Sequence, residues 1–587
     1  MAQTIESDKL FVKDVFNRWY RIPEYQRPYV WGADQVSELL EDISQACSTN
    51  PESQYFLGSM VLKRSNITEG NTRYEEYDLL DGQQRLTTLF LLTAVIRDLT
   101  NNTGRIKTCG ETIFQRANPD DNVPERIRIV FDIRNKVKEF VDDFIKTDGG
   151  TAKVQELALL ANKKDEDISI RNMAKAILKI REYFSSQHLI DDFFPYLRSN
   201  VLMIYVAAEE LEDAFRLFTV MNNRGIKLRN SDILKAENLS QVSDKSKRRN
   251  AAIQWECIEE YFGEDFDNFL SHLRTMLVKQ KAAYSLLKEF EDNIYFPREY
   301  DRITKTYHPK APLLTKGENT FKFINTHFKN YQEIFDKDNY ELTNSFEFYN
   351  HIQLMRKGFE ADFWIAPLLR YFEKFRNTGL VEFTKALEIK FAADWLTGLT
   401  PTHRIENINS IIQKIDVCKE YQEVLGSSEM SFSTQNFIKE IAHDIYGRRA
   451  ARYILLKIDL LFHGHTTKFD PPGTTSVEHI LPQNPTDGSE WKSLYSESEH
   501  QYWKDKAGNL ILISRRKNAA QSNKDFNDKK ERYFKSNIEL FSNSIRVMND
   551  FHTWRLVDLK HNHMIVVRKL AQGFNITISE DELLELT

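Results

Sequence analysis

The chain has 587 residues, 41% hydrophobic, 12% aromatic and 28% charged, enough apolar material for several cores, which excludes a disordered, collagen-like or low-complexity protein. Lys and Arg number 80 against 86 Asp and Glu, a formal net charge of −6, so bulk charge does not make it a polyanion binder. Mean hydropathy is −0.52 and no apolar run approaches the roughly 18 residues of a membrane span.

Length gives a soft prior of about four domains of roughly 150 residues. The pattern along the chain supports three: 1–240, 241–440 and 441–587. In the first, Tyr55–Leu62, Tyr74–Leu80 and Val201–Ala207 are predicted strands, and Leu86–Leu99, Val137–Ile145 and Ile170–Ser185 are predicted amphipathic helices. From 241 to 440 helical periodicity runs almost throughout, with loop punctuation at Pro297, Pro309–Pro312 and Gly317, and the basic run Lys245–Arg249 reads as an exposed joint. One helix is predicted over Phe437–Phe462, followed by the turn Asp470-Pro471-Pro472-Gly473. The fold class expected is α+β and mostly helical.

Beyond that turn, Ser476-Val477-Glu478-His479-Ile480-Leu481-Pro482 predicts a short strand stopped by proline, and Gly508–Ser514 a second strand. Asn518–Asn523 opens a predicted helix. Strand, strand, helix carrying His479, Asn509 and Asn518 is the order of a ββα-metal (HNH-like) nuclease. Phosphodiester hydrolysis needs a base near neutral pH, which an imidazole supplies. It also needs an ion that stabilises charge on the phosphate, and hard oxygen donors from Glu478 and Asn518 suit Mg²⁺ or Mn²⁺. Neighbouring residues of a regular strand face opposite ways, so Glu478 and His479 share a site only where the strand ends. Lys506–Lys535 carries nine Lys/Arg against three Asp/Glu, and Arg515, Arg516, Lys517 and Lys524 are the expected phosphate contacts. Read singly, each of these residues is better explained as surface or turn; their order, spacing and basic surroundings favour the nuclease.

Three clusters stand out near the N-terminus. Tyr25-Gln26-Arg27 sits in an extended, proline-flanked segment. Asp81-Gly82-Gln83-Gln84-Arg85 follows a strand and opens a helix, where free N–H groups favour an anion and an arginine can grip phosphate in bidentate fashion. Asn222, Arg224 and Gly225, followed by Asp232 and Lys235, repeat that vocabulary. No G-x-x-x-x-G-K-[ST] pattern occurs, so a P-loop is excluded. A turn with an ordinary helix cap explains each cluster alone; together they predict a polyphosphate or nucleic-acid backbone site.

With both ends on the page, the chain resembles the GmrSD-like modification-dependent (type IV) restriction proteins. The resemblance rests on Tyr25-Gln26-Arg27, Asp81-Gly82-Gln83-Gln84-Arg85 and the Asn222–Lys235 region at one end. At the other it rests on Glu478-His479-Ile480-Leu481-Pro482, Gly508-Asn509-Leu510 and Asn518. It implies a ParB-like α/β domain that binds and hydrolyses GTP or ATP over 1–240, a helical middle, and an HNH-type nuclease domain over 441–587. It further implies that Gln26, Arg27, Asp81, Gln84 and Arg85 contact the nucleotide or its metal. His479 would be the general base, Glu478 and Asn518 metal ligands, and Asn509 the residue ordering the loop between them. Glu478 departs from the commoner Asp of HNH nucleases. The expected partners are double-stranded, modified phage DNA and a nucleoside triphosphate, with no membrane; a homo-oligomer is compatible with the sequence. The N-terminus, Met1–Asp8, has no basic stretch ahead of an apolar one, so a prokaryotic cytoplasmic location is expected. Cys47, Cys109, Cys257 and Cys418 lie far apart, which argues against a disulfide framework. The alternative is a nucleotide-dependent DNA-binding sensor with an inactive nuclease module.

Overall fold

Six strands form one mixed sheet in the N-terminal part of the computed structural model: β1 (Glu6–Phe11), β2 (Tyr20–Ile22), β3 (Tyr55–Glu69), β4 (Thr72–Asp81), β5 (Ile129–Phe131) and β6 (Val201–Ala208), in the order β1-β6-β3-β4-β2-β5. The structure describes residues 6–23, 26, 28–69, 72–118, 124–132, 135–163, 166–185, 187–209, 229–336, 340–471, 475–514, 523–534 and 541–586. Most of them are helical, so the class is α+β, as the sequence predicts.

β3 and β4 pair antiparallel, β3 and β6 parallel, and the register slips between Phe56 and Gly58 and again between Val61 and Leu62. Such slips bend a strand and re-aim its side chains; here they flank the point where β4 hands over to α2. Helix α1 (Ala33–Thr49) precedes β3, and α2 (Gln83–Leu99) follows β4 directly. Every residue of α2 from Leu86 to Arg97 is buried, as expected of a helix that is apolar on all sides. At its far end the Arg97 guanidinium donates to the carbonyls of Ile145 and Thr147 at 2.9 and 2.7 Å, so the buried charge is satisfied. Helix α3 (Ile168–Tyr183) is capped by Asp167, which accepts from Ser169 N–H.

The chain divides into two compact units, residues 1–263 with 316–321, and 264–315 with 322–587. In the first, α4 (Asn230–Ser240) and α5 (Lys245–Phe262) follow the sheet. The basic run Lys245–Arg249 starts a helix capped by Asp244, and its side chains are largely exposed.

The second unit is mainly helical and includes α6 (Phe346–Gly358), α7 (Leu380–Leu396), α8 (Thr434–Ala442) and α9 (Ala451–His463). An exposed ribbon, Arg298–Asp301 paired with Thr306–Pro309, interrupts the predicted helical stretch. The single helix predicted over Phe437–Phe462 is two, α8 and α9. The break has Gly447 at φ 76°, a conformation glycine adopts without steric cost, and the N–H of Ile445 donates to the Asp505 carbonyl at 3.0 Å instead of continuing a helix. The last part holds an antiparallel pair, β7 (Thr475–His479) and β8 (Leu510–Ser514), then α10 (Phe526–Phe534) and α11 (Leu556–Gly573). Trp491, Trp503, Phe526 and Trp554 gather beside Ile511 and Ile513 in its core.

Candidate functional sites

In the first unit Asp81 ends β4, and Gly82 stands at φ 91° as the cap of α2. A Cβ on Gly82 would come within 2.9 Å of Met60 Cγ, so close approach as well as φ demands glycine. Gln84 is held in place: its Oε1 accepts the N–H groups of Val30 and Trp31 at 2.8 and 3.2 Å, and its Nε2 donates to the Pro28 carbonyl at 3.1 Å. Gln26 donates to the Leu80 carbonyl at 2.9 Å. Gln26 and residues 28–31 are thus laced onto the β4–α2 junction. Gln83 is buried.

Arg85 donates through Nη2 to the Ser59 carbonyl at 2.7 Å, and the same nitrogen lies 3.9 Å from Asp81 Oδ2. Its Nε is buried without a hydrogen bond among the described residues. A Cβ on Gly58 would meet Arg85 Nη1 at 2.6 Å, so the bulged glycine of β3 makes room for this guanidinium. Further along, Asp232 accepts the Arg229 N–H at 3.0 Å at the start of α4, and Lys235 is fully buried with Nζ 3.5 Å from Glu256. Tyr25, Arg27, Asn222, Arg224 and Gly225 lie outside the described residues.

In the second unit His479 is the last residue of β7. Its Nε2 lies 3.1 Å from Asp505 Oδ1, and its ring meets Tyr446 edge-on at 4.3 Å between centroids. Nδ1 makes no hydrogen bond among the described residues. Burial lowers the His479 pKa from its ordinary value while Asp505 pulls it back up, and burial prevails. The imidazole is therefore neutral at physiological pH.

Glu478, one residue earlier, engages a different element. Its Oε1 accepts from Lys529 of α10 at 2.6 Å, and the same ammonium donates to the His479 carbonyl at 2.6 Å. Burial pushes the Glu478 carboxyl up and the Lys529 ammonium down, each opposed by the attraction between them. Glu478 thus presents a carboxylate already paired with a buried cation.

Asn509 is buried with all its polar capacity in use. Oδ1 accepts the Leu481 N–H at 2.7 Å and the Trp554 indole at 3.2 Å, and Nδ2 donates to the Leu481 and Lys504 carbonyls at 3.0 and 2.8 Å. It ties the chain after β7 to the turn before β8 and leaves no group to meet a substrate. Gly508 lets α11 approach: a Cβ there would lie 2.5 Å from His563 Cα. Lys524 is half-buried, and its carbonyl accepts the Trp491 indole. Asn518, Arg515, Arg516 and Lys517 lie outside the described residues.

Asp505, Tyr446 and Lys529 were missed in the sequence. Only Asp505 carries a local signal, as the acidic residue between Lys504 and Lys506, four before Asn509.

These matched motifs have a common setting. The N-terminal domain of the GmrSD restriction endonucleases matches residues 9–239, and the C-terminal domain of those enzymes matches residues 434–563. No curated protein matches the chain. The two domains define a restriction endonuclease that acts on DNA in defence. The chain belongs to the GmrSD family of type IV restriction proteins. No described helix is long and apolar enough to cross a membrane.

Proposed function

We propose that this restriction protein is an NTP-regulated, metal-dependent DNA endonuclease that cuts modified phage DNA, with His479 as general base of an HNH-type site and a ParB-like N-terminal domain that hydrolyses GTP or ATP. The observation that carries the reading is the His479–Asp505 pair. A carboxylate on Nε2 holds the proton there, and Nδ1 keeps its lone pair for a water molecule. Asp505 is a positioning residue in this scheme: it selects the tautomer and stabilises the imidazolium that forms. Asn509 positions the chain that follows the base.

Mg²⁺ or Mn²⁺ enters the proposal through the chemistry of phosphodiester cleavage. The described residues do not assemble an open ligand set for it, because Glu478 is paired with Lys529. At the N-terminal site the start of α2 turns backbone N–H groups and the positive end of the helix dipole toward a phosphate, and Arg85 offers a guanidinium whose Nε is unspent.

The Lys529–Glu478 pair also favours a second reading, a nucleotide-dependent DNA sensor whose nuclease module is inactive. One experiment separates the two. Plasmid and phage DNAs differing only in base or backbone modification are incubated with the protein, Mg²⁺ or Mn²⁺, and GTP or ATP. Nicking and phosphate release are read from the same preparation for the parent and His479→Ala. Loss of a positioned base lowers cutting by about 10²- to 10⁴-fold, while phosphate release persists. Equal cutting by His479→Ala overturns the assignment of the base, and no cutting by the parent on any DNA favours the sensor.

A further inference from the structure

The middle of the second unit holds a cluster that neither proposed activity uses. Glu347 and His351 stand four residues apart on α6, hence on one face of the helix. His465 reaches them from the segment that follows α9. One ligand atom from each of the three lies within 4.8 Å of the others, the His351 and His465 rings stack at 5.5 Å, and His465 Nε2 is 4.0 Å from Glu347 Oε1.

His351 is 2% exposed, and its Nε2 is buried without a hydrogen bond among the described residues. A buried imidazole nitrogen left unpaired costs free energy unless something fills the place. Its other nitrogen, Nδ1, also lacks a hydrogen bond among the described residues but lies 3.3 Å from Glu388 Oε2, within ion-pair reach. Glu388 on α7 is anchored in turn by Lys457 at 2.6 Å and by the Tyr453 hydroxyl. A carboxylate on the far nitrogen of a histidine is the support that metal-ligating imidazoles use to fix ring and tautomer.

We propose that Glu347, His351 and His465 bind one borderline divalent ion of the Zn²⁺ class. Two imidazoles and a carboxylate select such an ion over Mg²⁺ or Ca²⁺, and three protein ligands leave a fourth position for water. Tetrahedral zinc places its donors on the order of 3–3.5 Å apart, so the cluster must close by up to roughly 1.5 Å. Glu347 and His465, 30% and 32% exposed, have room to do so.

The ion would act as a staple. α6 already clasps the segment 464–471: Asn350 donates to the Thr467 carbonyl at 3.0 Å and accepts the Phe469 N–H at 2.7 Å, Tyr349 donates to Asp470 at 2.7 Å, and Lys357 donates to the Pro471 carbonyl at 2.7 Å. That segment leads directly into β7, which carries Glu478 and His479, so an ion on His465 locks the approach to the nuclease ribbon. The inference stands on this cluster alone and does not depend on the cleavage assignment.

The test uses the full chain, stripped with a chelator and titrated with Zn²⁺ against a chromophoric competitor. Parent, His465→Ala, Glu347→Gln and His351→Ala are compared, because removing the buried His351 also costs packing, whereas the two half-exposed positions test the ligand role alone. The parent takes up one more Zn²⁺ than His465→Ala, and its melting temperature rises with Zn²⁺ where that of His465→Ala does not. Glu347→Gln binds the same ion at least about tenfold more weakly. Excess Mg²⁺ leaves the bound Zn²⁺ in place. Equal Zn²⁺ stoichiometry and equal thermal response in a folded His465→Ala overturn the site, as does displacement by equimolar Mg²⁺.

Discussion

His479 Nε2 lies 3.1 Å from Asp505 Oδ1, so the proposed base is oriented by an acid 26 residues away in sequence. Asp505→Asn keeps the size of the side chain but withdraws the charge. Cutting is expected to fall by about 10- to 100-fold, as for other residues that orient a reacting group. Asp505 raises the His479 pKa, so its removal lowers that value further and moves the acid limb of the pH–rate profile to lower pH. A purely structural role would change folding and leave the limb where it was. Nicking rates of both proteins across pH decide the matter.

Arg85→Ala is expected to reduce nucleotide hydrolysis by about 10- to 100-fold, the loss of one charge-assisted contact worth roughly 1.5–3 kcal/mol. Gly58→Ala provides an independent route to the same defect. Its Cβ would stand 2.6 Å from Arg85 Nη1 and force the guanidinium aside, and its φ of 134° adds backbone strain. Phosphate release from GTP and ATP, measured beside thermal melts, reads both. Parental hydrolysis in a folded Arg85→Ala shows that the segment is structural.

The Glu478–Lys529 pair, 8% and 1% exposed, makes a stability prediction. Removing one partner leaves a buried charge uncompensated, at a cost of about 3–5 kcal/mol. Lys529→Met should therefore lower the unfolding midpoint in urea strongly, and Glu478→Leu combined with Lys529→Met should recover most of the loss. If the single and double variants unfold alike, the pair is not what holds α10 to β7.

Asp459 on α9 is pushed up to about 7 by burial, although the Asn543 N–H donates to it at 2.9 Å and opposes that rise. Its unfolded value is about 3.9, so the folded chain binds this proton more tightly. Stability from this group is full below about pH 4 and is lost as pH rises toward about 7. At about 1.36 kcal/mol per pKa unit the loss is of the order of a few kcal/mol. Asp459→Asn should stabilise the protein at pH 8 more than at pH 5. Melts of parent and variant at the two pH values test it, and an equal effect at both contradicts the buried, titrating carboxyl.

Much of the frame was legible in the sequence because it is encoded by neighbours. The alternation in Tyr55–Leu62 and Tyr74–Leu80 marked β3 and β4, and Asp81-Gly82 before an apolar run marked the start of α2. Proline after Leu481 marked the end of β7, and Gly508-Asn509 the start of β8. β1, β2 and β5 were not legible: β2 and β5 are three residues each, too short for a period, and β1 is a largely exposed edge. The break between α8 and α9 was hidden too, since its cause is a hydrogen bond to Asp505, some sixty residues on.

The sequence by itself determined which residue types could do chemistry, and two stretches of the chain, 9–239 and 434–563, that belong to a restriction endonuclease. Only the tertiary structure decided their partners. Helical spacing puts Glu347 and His351 on one face, but nothing local announces that His465 arrives beside them or that Glu388 supports His351 from behind. Neither does any spacing predict that Lys529 takes Glu478 while Asp505 takes His479. Periodicity is a property of a few adjacent turns or strand residues, whereas a buried charge finds its counter-charge through the packing of whole elements. That packing is set by the sum of all the apolar faces and is written in no single motif.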